Sequence, residues 1–219
     1  MKHFELDQTT AFEGYTVKIQ NDICPIHPRH DNENMDTMLC VKHRNYRLGD
    51  KQANSEEIQR KIKELDKSGG VWLPLYLYDH SGITIRTTPF TCPWDSGQFG
   101  IIYIDRETLL NEYNCKRVTK KIRERAIEGM QANVKVYDYF MTGNCWGYTI
   151  EDSEGKEISS YMSFFGDGFD GSLDDMEECI LDEIRHDQQE KAKTKLARVK
   201  VFIKNKVPLN VRQELIQSV

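Results

Sequence analysis

Four acidic or histidine residues in the first half of the chain could together do phosphoester chemistry. Asp79 and His80 follow an apolar run, Asp95 precedes another, and Asp31 lies in an earlier polar stretch. Carboxylates with an imidazole can hold a divalent metal ion and activate water for attack on a phosphoester. The structural alternative is that Asp79 and Asp95 accept hydrogen bonds from their own turns, as Asp in turns commonly does. The sequence leaves both interpretations open.

Two short Cys-x-x-His pairs indicate a second candidate, a zinc site. The pairs are Cys24 with His27 and Cys40 with His43, and 12 residues separate His27 from Cys40. Two Cys and two His form a known structural zinc set, and a metal would explain how a loop-like stretch stays ordered. The pattern departs from the usual finger order, in which both cysteines come first. With six Cys and six His in the chain, short pairings also arise by chance.

A third candidate set would surround a small nucleotide. It consists of Trp94, Gln98, Tyr103 and Arg86, which come from the same central segment as Asp79 and Asp95. A divalent metal and a small nucleotide are therefore the two ligands that the residue types suggest, and neither follows from composition alone.

Charge is unevenly distributed along the chain. The 219 residues carry a formal net charge of -5, so a chain-wide basic footprint for nucleic acid is absent. Residues 151–190 hold 14 acidic residues against two basic ones, whereas residues 191–206 hold seven basic residues and no acid. Such segregation suits electrostatic steering toward a protein or nucleic-acid partner. The alternative is a pair of solvated helix faces.

The elements that must position these residues are a mixture of strands and helices. Apolar runs at 71–78 and 83–87 around a Gly-containing turn predict a β-hairpin, with a third strand at 99–104. Asn54 with Glu57 predicts a capping box that begins a helix. Residues 134–140 either extend a helix at 116–132 or form a strand. Residues 21–53 are mostly polar and predict a loop region.

The last part of the chain predicts a helical tail over residues 172–219. Ser172 is the expected N-cap, and the apolar positions Leu173, Met176, Ile180, Leu181 and Ile184 lie on one face of a 3.6-residue helix. That face should pack on the sheet. The residues expected to face water are Asp175, Glu178, Asp182 and Gln189.

The element order predicts the α+β class. Helices and strands alternate without regular βαβ units, which favours a mostly antiparallel sheet with helices packed on one face. No Pro/Gly/Ser linker divides the chain, so we expect a single domain over residues 1–219. No apolar leader or membrane-length run is evident, so we expect a cytoplasmic protein with no membrane contact.

Several segments resemble a group of uncharacterised proteins carried by bacteriophages and conjugative elements. They are LPLYLYDHSG at 73–82, CPWDSGQ at 92–98, GIIY at 100–103 and GNCWGY at 143–148, with HDN at 30–32 and YRLGD at 46–50. The resemblance covers residues 30–165 and implies a mobile genetic element as the setting, with no chemistry attached. By analogy, accessory proteins in that setting often act against host defences or adjust host machinery.

Three functions follow as hypotheses. The first is a mobile-element accessory protein that binds a host protein or a nucleic-acid complex, in counter-defence. The second is a metal-dependent phosphoesterase or nuclease that uses Asp31, Asp79, His80 and Asp95. The third is a small-nucleotide-binding sponge. Whether the chain is an enzyme stays open at this point.

Overall fold

The structure is a computed structural model that describes residues 3–30, 34–169, 171–208 and 211. These residues form α-helices and two mostly antiparallel β-sheets, which confirms the α+β class. In chain order the elements are β1 (Thr9–Phe12), β2 (Tyr15–Asn21), β3 (Thr37–Cys40), β4 (Lys51–Gln52), α1 (Ser55–Ser68), β5 (Val71–Asp79), β6 (Ile83–Arg86), β7 (Ser96–Ile104), α2 (Arg106–Glu112), α3 (Lys120–Thr142), β8 (Cys145–Glu151), β9 (Glu157–Phe165) and α4 (Asp174–Lys206).

The chain divides into two compact units. One comprises Met1–Gln20, Trp146–Phe164 and Gly168–Val219, and the other comprises Asn21–Cys145 and Phe165–Asp167. The single domain expected over residues 1–219 stays a prediction. Within the described residues, no helix carries an apolar stretch long enough to cross a bilayer.

The first unit is built on a four-stranded sheet in the order β1-β2-β8-β9. α4 packs on it through Met176, Ile180 and Ile184, which share a buried cluster with Val17 of β2 and Ile150 of β8. The predicted apolar face of this helix is therefore confirmed, because burying the stripe against the sheet removes it from water. The residues predicted to face water are exposed, namely Asp175, Glu178, Asp182 and Gln189.

The start of α4 differs from the prediction. The N-cap residue is Leu173, whose side chain makes no capping hydrogen bond, so the expected N-cap at Ser172 is wrong. Asp174 and Asp175 occupy the first turn instead, where negative charge favours the helix dipole. The helix ends at Lys206, and most of the predicted tail beyond it lies outside the described residues.

The second unit holds a five-stranded sheet in the order β4-β3-β7-β5-β6. The β5–β6 hairpin is confirmed, with Tyr78 paired to Thr84. α3 covers one face through Met130 and Val134, and it includes residues 134–140, so the helical alternative for that stretch is correct. α1 covers part of the other face, packing Leu65 with Ile101 and Tyr103. Helices thus lie on both faces of this sheet, whereas the sequence predicts helices on one face only.

The predicted capping box of α1 is confirmed in full. The Asn54 side chain accepts a hydrogen bond from the backbone N–H of Glu57, and the Glu57 carboxylate accepts one from the backbone N–H of Asn54. Both bonds satisfy amides that a helix start would otherwise leave without a partner. The helix ends at Ser68, and the C-cap residue Gly69 adopts the left-handed conformation with φ of 86°.

Candidate functional site

Asp79, His80 and Asp95 meet at one end of the five-stranded sheet, as their positions beside strand ends predict. β5 runs antiparallel to β7 with Tyr78 opposite Ser96, so the residues just beyond that pair are neighbours. The backbone N–H of Asp79 donates to the carbonyl oxygen of Asp95 over 2.9 Å. The His80 Nδ1 atom lies 3.2 Å from Asp95 Oδ2. Asp79 and Asp95 border a cleft of about 280 Å³.

The Asp79 carboxylate is held by two residues that come from the polar segment 21–53. His43 Nε2 lies 2.8 Å from Asp79 Oδ2, and Arg44 Nη1 lies 2.9 Å from the same oxygen. The hydrogen bond with His43, assisted by the Arg44 charge, holds the pKa of Asp79 below its usual value. Asp79 therefore stays ionised well into the acid range, and a cationic guanidinium already neutralises it.

A tight turn presents His43 and Arg44 to the cleft. The backbone N–H of Tyr46 donates to the His43 carbonyl oxygen over 2.8 Å, which closes the turn. Arg44 within it adopts a left-handed backbone conformation with φ of 50°. Sequence reasoning missed Arg44 altogether, because nothing local to the segment indicates that this turn reaches the end of β5.

The geometry does not gather a catalytic metal site at these positions. Among the described residues, no group of three or more His, Cys, Asp or Glu side chains is arranged to hold a metal ion. The Arg44 cation on Asp79 would also repel a metal cation there. Asp31, the fourth residue of the predicted set, lies outside the described residues.

The structure does not gather the four predicted zinc ligands into one group, and each lies in different surroundings. Cys24 is exposed, whereas Cys40 is completely buried, and burial raises the pKa of its thiol to about 12. The His27 ring stacks on the ring of His30 at 3.9 Å between centroids. His43 bonds Asp79.

A buried arginine bonds the polar segment together. The Arg29 side chain is only 1% exposed. Its Nη1 atom donates to Asp36 Oδ1 over 2.7 Å, and its Nε atom donates to Asp50 Oδ1 over 3.0 Å. Asn133 of α3 donates to the other oxygen of Asp36 over 2.6 Å, and the Tyr137 hydroxyl of α3 accepts from Gly49. The loop is thereby bonded to the longest helix of its unit.

Two of the predicted nucleotide-binding residues, Arg86 and Gln98, lie on one face of the sheet with Tyr76 between them. Tyr76 of β5 pairs with Arg86 of β6 on one side and with Gln98 of β7 on the other. Residues directly opposite one another in paired strands share a face, so Arg86, Tyr76 and Gln98 form a row. The paired residues Leu77 and Ile85 project to the other face and are buried in the core.

The next row on the same face is aromatic. It is centred on Tyr78, whose ring stacks on Phe90 at 5.5 Å and on His80 at 6.0 Å. The Arg86 guanidinium lies 3.8 Å above the Phe90 ring, a cation–π contact. We call the surface formed by Tyr76, Tyr78, Arg86 and Gln98 the tyrosine face.

The other two predicted nucleotide-binding residues have different locations. Trp94 is 90% exposed and borders the cleft together with Gln98. Tyr103 is a correction: it is 7% exposed and packs against α1, with the Lys61 ammonium 4.8 Å from its ring centroid. Tyr103 lies five positions along the extended strand from Gln98, a span of roughly 17 Å, so the two cannot line one small pocket.

Comparison of the chain with protein-family models, curated proteins and solved structures finds no match to any of them. The argument for function therefore rests on the residues of this chain.

Proposed function

We propose that this chain is a mobile-element accessory protein that acts by binding, with a host protein or nucleic-acid complex as its partner, in counter-defence. The tyrosine face and Trp94 make the contact. The supporting observation is the row of Arg86, Tyr76 and Gln98 beside a tryptophan that is 90% exposed. Trp, Tyr and Arg are the residue types that contribute most to binding energy at interfaces.

Binding is better supported than metal-dependent catalysis. Asp79 is already paired with His43 and Arg44, and Asp95 lies beside His80. The phosphoesterase or nuclease hypothesis would need these carboxylates to turn to a metal, with Asp31 as a further ligand. It would be favoured by a stoichiometric divalent metal in the purified protein together with hydrolysis of a phosphoester substrate that chelation abolishes.

Capture of partners from a bacterial host tests the proposal. The tagged chain and a W94A/Y76A variant are expressed in the host, and the proteins that co-purify are quantified by mass spectrometry, with and without nuclease treatment. The matched control is F169A, since Phe169 is 94% exposed and belongs to neither the cleft nor the tyrosine face. We expect one partner to be reduced at least about ten-fold by W94A/Y76A and to be retained by F169A.

Two results would contradict the proposal. One is a W94A/Y76A variant that retains every partner of the wild type. The other is a partner that F169A loses to the same extent. Loss of the partner on nuclease treatment would identify a nucleic-acid complex, and its retention would identify a protein.

Small-nucleotide binding is the second candidate, because Arg86 and Gln98 lie on either side of Tyr76 near a cleft of suitable size. An aromatic ring can stack with a base while a guanidinium pairs with phosphate. Nucleotides released by heating the purified protein are identified by chromatography, and adenine and guanine nucleotides are titrated while the tryptophan fluorescence of the chain is followed. R86A should weaken binding, whereas Y103F should not, since Tyr103 lies elsewhere. Equal effects of the two changes would exclude this site.

A further inference from the structure

The C-terminal half of α4 carries a dense set of cations. Residues 191–206 include seven basic side chains and no acidic one. Two of the seven are paired: Lys191 with Asp187 and Lys193 with Glu190. The other five make no ion pair with any residue that the structure describes, namely Lys195, Arg198, Lys200, Lys204 and Lys206. This half of the helix is therefore strongly electropositive.

Apolar side chains are exposed among these cations. Val201 is 58% exposed and Phe202 is 62% exposed. Ala197 precedes Val201 by four residues and is also exposed, so the two lie on one side of the helix. Arg198 and Lys206 border the same shallow hollow as Val201 and Phe202. We call the surface formed by Ala197, Arg198, Val201, Phe202 and Lys206 the basic strip.

We propose that the basic strip docks an acidic amphipathic helix of a protein partner. Apolar residues of that helix would cover Val201 and Phe202, and its Glu and Asp side chains would meet the flanking cations. This is the usual arrangement for helix recognition, in which apolar anchors repeat every three or four residues. The proposal shares no residue with the tyrosine face, so the two can fail separately.

The charge and the exposed apolar side chains together favour an acidic helix over a nucleic acid or a second copy of this chain. A nucleic acid would use the cations but gives no reason for a helix to expose Val201 and Phe202 beside them. A second copy of the strip would set unpaired cations against identical cations, which is repulsive. An acidic helix complements both features at once.

The test uses a synthetic peptide as the probe. A fluorescein-labelled helical peptide of about 20 residues carries a Leu stripe flanked by Glu, and fluorescence anisotropy follows its binding to the full chain. A peptide with Lys in place of Glu and a single-stranded DNA of about 20 nucleotides serve as comparison probes. The variant is V201S/F202S, in which both altered side chains are mostly exposed, and circular dichroism checks that its helices persist. F169S is the matched control.

We expect the Glu peptide to bind and the Lys peptide not to bind. V201S/F202S should weaken binding at least about ten-fold, and F169S should leave it within about two-fold. Raising the salt concentration from about 0.05 M to about 0.5 M should weaken it as well, because the flanking pairs are screened.

Four results would overturn the proposal. The first is no binding of the Glu peptide. The second is tighter binding of the DNA that V201S/F202S leaves unchanged. The third is a wild-type dimer by light scattering that V201S/F202S dissociates, which would make a second copy the occupant. The fourth is a chain ending at Val207 that binds the Glu peptide at least about ten-fold more tightly, which would make residues 208–219 the occupant.

Discussion

Replacing Arg29 with Met should destabilise the chain by about 3–5 kcal/mol, which is the usual cost of removing one partner from a buried ion pair. The guanidinium is 1% exposed and donates to both Asp36 and Asp50. Met fills a similar volume but leaves two carboxylates facing each other in the space the guanidinium occupied. Asp36 would keep its bond from Asn133, and Asp50 would keep its bond from the Met38 N–H. Neither of these removes the uncompensated charge.

Urea denaturation at pH 7, followed by circular dichroism and Trp fluorescence, measures the change. The matched control is R185M, because Arg185 pairs with Asp182 on an exposed helix surface with side chains 63% and 60% exposed. Such a pair contributes little, so R185M should change the free energy of unfolding by no more than about 0.5 kcal/mol. The contrast between the two variants isolates burial, since each loses one guanidinium.

Chelation with EDTA should leave the free energy of unfolding of the wild type and of R29M unchanged, because we expect Arg29 rather than zinc to hold the polar segment in place. The reasoning is refuted if R29M and R185M lose similar stability, or if EDTA destabilises the wild type.

Three further changes should be measurable by the same denaturation. Ile180→Ala should cost about 2–5 kcal/mol through lost transfer energy and a cavity, whereas Glu178→Ala should stay within about 0.5 kcal/mol, and similar losses would contradict the assigned faces of α4. Because burial raises the pKa of Cys40 to about 12, the unfolded chain loses this proton first above about pH 9, and Cys40 should contribute a fall in the free energy of unfolding of about 1.4 kcal/mol per pH unit. C40A should remove this contribution and keep that of Cys145, whose pKa burial raises to about 11. The backbone N–H of Ile85 in β6 donates to Asp138 over 2.8 Å. Asp138→Ala removes this acceptor and should lower the free energy of unfolding by about 1–3 kcal/mol, whereas D138N should retain most of the wild-type stability.

The sequence predicts those elements whose structure depends on contacts between residues that are close in the chain. The Asn54 and Glu57 pair predicts the start of α1 because both hydrogen bonds lie within one turn. The faces of α4 follow from spacing alone, since burial of the stripe needs only a sheet to pack on. The position of the β5–β6 hairpin follows from two apolar runs around a short turn. In each case the information lies within a few residues.

Contacts between distant segments account for what sequence reasoning missed. Asp79 lies 36 residues from His43, and Asp36 lies 97 residues from Asn133. No periodicity or spacing links such pairs. The sequence around Arg44 and Arg29 therefore does not predict that Arg44 lies at the cleft or that Arg29 holds the loop. Proximity in sequence groups Tyr103 with Trp94, yet the extended strand β7 separates the two in space.

Cys40 shows how packing, rather than residue type, decides between a ligand and a core residue. Gly100 in the neighbouring strand β7 has no side chain, and a Cβ there would lie 2.6 Å from the Leu39 carbonyl oxygen and 3.1 Å from the Cys40 sulfur. Gly49, with φ of 73°, would place a Cβ 2.7 Å from the same sulfur. The thiol is thus enclosed by backbone that only glycine allows so close. Two glycines, one of them inside a strand, are a sequence signal for this close packing, and they argue for a core cysteine over a metal ligand.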